Sequence, residues 1–147
     1  MLRLAAVTVA IQLAAAPAVH AQLAISANDN KLVLDNGAAK VVPNPPPDTV
    51  TIIDLKTQPP RVVAEVRAPA SVVGPPVSVA LTPDESLALV TAAAKIDPAD
   101  PTKQVPNNQA SVIDLKANPP AVIATLEAGA SAAGVSINRQ GTLALVA

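Results

Sequence analysis

The chain has no cysteine, tryptophan, tyrosine or phenylalanine, and its single histidine is His20. Without cysteine there is no disulfide framework, no thiolate metal ligand and no lipid-modified cysteine, even where export would permit disulfides. Without aromatic residues there is no stacking platform for single-stranded nucleic acid. The core also loses the side chains that carry the largest apolar areas, so Val, Ile, Leu and Ala must fill it. Charge is scarce: ten Lys plus Arg stand against eleven Asp plus Glu in 147 residues. That balance gives no basic surplus to attract nucleic acid or an anionic membrane surface. Glycine-rich phosphate loops are missing as well.

What is present begins with a leader. Arg3 supplies a positive start, Leu4 to Ala16 is mostly apolar, and Val19-His20-Ala21 places small residues at the −3 and −1 positions of a cleavage site. This pattern predicts a signal peptide over residues 1–21, cut between Ala21 and Gln22, and a periplasmic or secreted protein. The competing reading is a buried N-terminal helix. The apolar run is short for a membrane span, and no later segment qualifies, so no span is expected. Cleavage removes His20 and Arg3, leaving nine basic against eleven acidic residues, a formal charge of −2. Histidine- or cysteine-ligated zinc and haem are then excluded from residues 22–147, and no cofactor is expected.

The remainder repeats itself. Thr51-Ile52-Ile53-Asp54-Leu55-Lys56, followed by Pro59-Pro60, returns sixty positions later as Ser111-Val112-Ile113-Asp114-Leu115-Lys116, followed by Pro119-Pro120. Leu87-Ala88-Leu89-Val90 returns as Leu143-Ala144-Leu145-Val146 at an offset of fifty-six. β-Branched runs favour strands, and fifteen prolines after residue 21 exclude long helices. Hairpins are predicted for Val77–Leu81 with Leu87–Ala92 and for Val135–Ile137 with Leu143–Ala147, joined by turns at 82–86 and 138–142. A looser copy is predicted at Leu23–Ile25 with Lys31–Leu34. Each unit adds a second hairpin, Val50–Leu55 with Val62–Val66 and Ala110–Leu115 with Ala121–Leu126. Between them run proline-bearing connections, residues 35–48 and 95–109, read as long loops. Loops of that length are uncommon and often functional.

Four short antiparallel strands per repeat is the pattern of a β-propeller blade. The expected fold is all-β: a partial β-propeller of about two four-stranded antiparallel blades plus the first hairpin of a third, with units near 23–74, 77–134 and 135–147. The last unit stops where two more strands are expected, which reads as a piece of a larger protein whose remaining blades lie in a longer parent chain. The run Leu81-Thr82-Pro83-Asp84-Glu85-Ser86-Leu87-Ala88-Leu89-Val90, followed by Ala110-Ser111-Val112-Ile113-Asp114-Leu115, resembles the YVTN-repeat β-propeller family. That group is related to the lactonase-type propellers. In its usual repeat a Ser-Pro-Asp-Gly-like turn precedes a Leu-Tyr-Val strand, and a Val-x-Val-Ile-Asp strand follows. Here Ala88 and Ala144 occupy the aromatic position, and the connections are longer. The resemblance implies a ring of roughly seven blades.

Candidate site residues are few. Asp54 and Asp114 sit at matching positions; recurrence once per unit points to turn capping rather than to paired acid–base chemistry. Asp97 and Asp100, with Asn107 and Asn108 in the same connection, offer oxygen ligands to a hard cation such as calcium, but lack the EF-hand spacing. The alternative for them is ordinary turn formation. Asn28-Asp29-Asn30 reads as a hairpin tip. Asp35-Asn36-Gly37 and Asp48 read as a bend or, alternatively, a polar mouth. Ser71 and Ser131 lie beside Gly74 and Gly134 with no histidine partner, and no spacing favours a Ser-Lys pair.

Three functions remain. One is a secreted binding or interaction scaffold without a catalytic site, using residues 35–48 and 95–109 to hold an unidentified protein or small molecule. Another is the N-terminal part of a lactonase-like hydrolase whose active residues lie in other blades, an argument by fold analogy. The third is a segment with no function apart from its parent.

Overall fold

Short runs of β-branched residues separated by Pro, Gly, Asn and Asp leave the chain little choice but strands and turns. The computed structural model describes residues 22–71 and 78–147. Those residues form eleven strands and no helix. In chain order they are β1 (Leu23–Asn28), β2 (Leu32–Asp35), β3 (Ala38–Val41), β4 (Thr49–Asp54), β5 (Arg61–Arg67), β6 (Val79–Leu81), β7 (Leu87–Asp97), β8 (Asp100–Asp114), β9 (Ala121–Glu127), β10 (Val135–Ile137) and β11 (Ala144–Val146).

All pairing is antiparallel. One sheet has the order β6-β7-β8-β9, a second β1-β4-β5, and two further pairs are β2-β3 and β10-β11. The repeat extends to individual hydrogen bonds. Leu55 N donates to Gln22 O at 2.8 Å, and Leu115 N donates to Ser86 O at 2.9 Å. Both β4 and β8 carry a register shift one step before their aspartate pair, at Ile52/Ile53 and Val112/Ile113. Leu23 lies opposite Asp54 as Leu87 lies opposite Asp114.

That register corrects the expected first hairpin. Residues 23–28 are the counterpart of the second strand of a unit, since they pair with β4; they do not fold back on 31–34. The blade count changes with it. Among the described residues there is one four-stranded sheet, one three-stranded sheet and two two-stranded hairpins, β10-β11 and the separate β2-β3 ribbon. The short alternation of Leu23-Ala24-Ile25 fits a first or a second strand equally well, and only its distant partner β4 decides.

The two long connections are also not loops throughout: residues 42–48 of the first lie outside any strand, but the rest of both forms paired hairpins. Asp35–Ala38 closes the β2–β3 hairpin through Asn36 and Gly37, both at positive φ (50° and 82°), the geometry that matches strand twist in a two-residue turn. β7 and β8 continue as a ribbon to a turn at Pro98-Ala99, with Asp97 opposite Asp100. Proline is tolerated there because β9 covers only residues 109–114 of β8. Pro101 and Pro106 thus sit where one edge of the strand needs no partner.

The core lies where the two larger sheets meet. Val50, Ile52 and Val66 of one sheet bury against Ala88, Val90 and Ile113 of the other, with Leu115 closing one end. Leu23, Ile25, Val79 and Leu81 pack around them. Ala88 is fully buried, and its methyl group lets the sheets approach without a larger side chain between them. Each buried Val or Ile contributes roughly 1.5–3 kcal/mol. A run of small residues, Ala92, Ala93 and Ala94, carries this close contact toward the base of the β7–β8 ribbon.

Candidate functional site: a cleft between two sheets

Where the sheets open toward their ribbons lies a cleft of about 300 Å³. Buried Ala68 and Ala94 form its floor, exposed Arg67, Pro69 and Lys95 stand at its rim, and Lys31, Pro47, Asp48, Asn107 and Gln109 complete the lining. The geometry follows from the repeat. Asp48 and Asn108 are equivalent, for Ala68 N donates to Asp48 O at 3.3 Å and Ala128 N donates to Asn108 O at 2.7 Å. The segments leading into β4 and through β8 therefore both pass this end of the molecule.

Beneath one wall is a buried ionic cluster. The Lys31 ammonium donates to Asp48 Oδ2 at 2.5 Å and to the Ala70 carbonyl at 2.6 Å, and lies 2.9 Å from Asp29 Oδ1. Asp48 also accepts from the amides of Asn30 (3.0 Å) and Ala70 (3.2 Å). Asp29 additionally accepts from Lys31 N at 2.9 Å. The Lys31, Asp29 and Asp48 side chains are 8, 0 and 9 % exposed. Burial of charge is tolerated only with such pairing and hydrogen bonding. The cluster ties the β1–β2 link, the entry to β4 and the exit from β5 together. The cleft wall is fixed.

The rim is less occupied. Lys31 already neutralises Asp48, while Arg67 and Lys95 form no ion pair among the described residues. Asn107 is buried, and its side-chain amide reaches Gln109 Oε1 only at 3.4 Å. An apolar floor with two free cations at its edge suits a small acid with a short aliphatic body. Residues 22–147 contain no histidine or cysteine, so the cleft has neither a histidine general base nor a cysteine nucleophile. A second, wider groove of about 680 Å³ runs between Leu32, Val33 and Leu34 on one ribbon and Thr102 and Gln104 on the other. The Gln104 Nε2 there is buried without a partner.

The sequence-predicted residues fall in several places. Asp54 Oδ1 accepts from Lys56 N, and Asp114 Oδ1 from Lys116 N, each at 2.8 Å. Asp97 accepts from Ala99 N at 2.8 Å. Asp100 accepts from the Thr102 hydroxyl (2.6 Å) and amide (3.0 Å) and pairs with Lys103 at 2.8 Å. The Lys103 ammonium, followed by the Thr102 hydroxyl and amide, holds the Asp100 carboxyl below the usual carboxylate range. Asn107 stands seven residues along an extended strand, ~23 Å from Asp100, so these side chains do not form one cluster. No group of three acids gathers among the described residues. Asp35 pairs with Lys40 across its hairpin, while Asp48 serves Lys31. Ser71 Oγ, buried, accepts from Ala93 N at 2.7 Å. Ala21 and Gly74 lie outside the described residues.

Two positions that tie elements together beside the cleft or across the sheets escaped the sequence reading. Lys31 looks like a strand-start lysine, and only its proximity to Asp29 in sequence hints at a buried partner. Glu85 holds the place that glycine takes in the next turn: its φ is +54°, against +71° at Gly141. A glutamate at such a position signals a demand beyond turn geometry. Its carboxylate accepts from Gln22 N and Leu23 N, at 2.8 and 3.3 Å, across to the neighbouring sheet.

The chain matches no protein-family model, no curated protein and no solved structure. Its function must be argued from the site itself.

Proposed function

We propose that this chain is part of an exported β-propeller of the YVTN-repeat type and serves as a binding scaffold, with the cleft between its first two sheets as the ligand site. The observation that carries this reading is convergence. Residues from both repeat-equivalent connections, Pro47 and Asp48 from one and Lys95, Asn107 and Gln109 from the other, meet on a single cleft. Its rim cations form no ion pair among the described residues and stand beside an apolar floor, so it binds a small carboxylate. Support for the propeller arrangement comes from successive antiparallel sheets that share turn hydrogen bonds and meet face to face.

Titration calorimetry with short-chain mono- and dicarboxylates, butyrate and succinate among them, tests the site. Saturable binding that falls about tenfold in Arg67→Gln and in Lys95→Gln is expected, since a charge-assisted hydrogen bond contributes on the order of 1.5–3 kcal/mol. Binding unchanged by both substitutions, or no binding to the folded chain, overturns the assignment.

A further inference from the structure

Three strand starts stand at equivalent places in the repeat. Leu23 and Leu87 lie opposite Asp54 and Asp114, and Gln22 O and Ser86 O accept from Leu55 N and Leu115 N. Thr142-Leu143 repeats Ser86-Leu87 at the offset of fifty-six. At each start two successive amides converge on one side-chain oxygen. Ser86 N and Leu87 N donate to Thr82 Oγ1 at 3.1 and 3.0 Å. Thr142 N and Leu143 N donate to Asn138 Oδ1 at 2.8 and 3.0 Å. These acceptors are neutral, and each belongs to the turn that it closes. Gln22 N and Leu23 N differ on both counts. They donate to a carboxylate oxygen, Glu85 Oε1, at 2.8 and 3.3 Å, and Glu85 is 63 residues away in the neighbouring unit.

The turn itself does not call for this glutamate. Glu85 N and Gly141 N each donate to the carbonyl that opens their turn, Thr82 O and Asn138 O, at 2.9 Å, with φ of +54° and +71°. Glycine meets that geometry without interference from a β-carbon, and glutamate does not. Glu85 forms no ion pair with a side chain among the described residues. A pair of neutral amides needs no more than the neutral oxygens that serve the other two starts. A carboxylate suits a cation better. The expected leader cut supplies one. When the Ala21–Gln22 bond is hydrolysed, the oxygen of water goes to Ala21 as a carboxylate and both of its protons go to Gln22 N. The amide becomes an ammonium with three donors, and Glu85 Oε1 already stands 2.8 Å from it.

We propose that Glu85 is the docking site for the chain's own processed N-terminus, through an ion pair with the Gln22 ammonium that exists only after the leader is removed. The inference rests on the export part of the reading above and is independent of the cleft. Leader removal thereby fastens the start of β1 to the turn before β7 and ties the first sheet to the second. The precursor keeps only amide hydrogen bonds at this place, so its fold is the less stable of the two. Gln22 is exposed and Glu85 half-buried. That puts the gain in the range of screened ion pairs, about threefold to fivefold in the unfolding constant.

Four chains with fixed first residues test the proposal: one begins at Gln22 and one at Val19, each with Glu85 or with Glu85→Gln. The Val19 start leaves Gln22 N an amide and moves the ammonium ~10 Å along the chain, beyond the Debye length of about 8 Å at physiological salt. In urea, the Gln22 start should show an unfolding constant about threefold to fivefold lower than the Val19 start. Glu85→Gln removes that difference, and about 1 M NaCl narrows it. A second readout comes from Gln22 itself. Its uncharged amine attacks its own side-chain Cδ, closing a ring and releasing ammonia, which mass spectrometry follows. The folded Gln22 start should lose ammonia about threefold more slowly than its Glu85→Gln variant, with equal rates for the two in concentrated urea. Equal stability of the two starts, a difference that survives Glu85→Gln, or equal rates of ammonia loss in the folded chains overturns the assignment. Fixed ends keep this result separate from whether the leader is cut in cells, which the mass of the exported protein reads.

Discussion

Replacing Lys31 with methionine deletes one ammonium and keeps most of the side chain's length. In the folded chain that ammonium lies 2.5 Å from Asp48 Oδ2, 2.9 Å from Asp29 Oδ1 and 2.6 Å from the Ala70 carbonyl. The three charged side chains are at most 9 % exposed, so water cannot take over as partner. Breaking a buried pair from one side costs about 3–5 kcal/mol, mostly because the opposite charge stays buried and unpaired. Here two carboxylates are left. A domain of this size has roughly 5–15 kcal/mol of stability in total, and a loss near 4 kcal/mol lowers Tm by roughly 15 °C. Urea unfolding followed by far-UV circular dichroism reads the effect as a lower midpoint at unchanged slope. The triple change Lys31→Met, Asp29→Asn, Asp48→Asn should recover a large part of the loss, since no charge then remains to be stranded. A cost below about 1 kcal/mol for Lys31→Met would put the pair in the solvent-screened class and refute the reasoning. A triple variant no better than the single one would refute it too, by tracing the loss to shape rather than charge.

Two further outcomes follow from the turn and the leader. Hydrogen bonds from the Thr82 hydroxyl first, and then from the Ser86 hydroxyl and amide, lower the Asp84 carboxyl to about 2. Its contribution to stability is therefore complete above about pH 4, the unfolded carboxyl's range, and disappears as pH falls through about 2. A ¹³C carboxyl titration should show this midpoint, and Ser86→Ala should raise it; an ordinary midpoint in the parent chain contradicts the turn geometry. Export predicts that the protein recovered from expressing cells has a mass beginning at Gln22, whereas an intact Met1 form counts against cleavage.

Much of the fold was legible in the residues because the relevant signals are local. The second hairpins, 50–66 and 110–126, are β-branched runs on either side of a proline turn, and the 79–90 and 135–146 hairpins follow from alternation broken by Thr-Pro-Asp or by Gly141. The partner of β1 was not legible, since Leu23-Ala24-Ile25 has the alternation of either hairpin arm and its choice is made by Ile52 and Ile53 some thirty residues away. The β7–β8 ribbon was misread because proline argues for loops only where both strand edges need donors. Along residues 100–108 of β8, one edge does not. At the site, Asp48, Asn107 and the two connections stood out by composition. The fact that they face one cleft depends on how two sheets stack, and no local pattern encodes that. Lys31 and Glu85 act across sheet boundaries for the same reason.

The measurement closest to the central claim is an amide NMR titration of the folded chain with succinate. The account predicts saturating shifts gathered on Arg67, Ala68, Lys95, Asn107 and Gln109, lost together in Arg67→Gln. Shifts scattered over the surface without saturation, or centred on the β2–β3 ribbon instead, would contradict it.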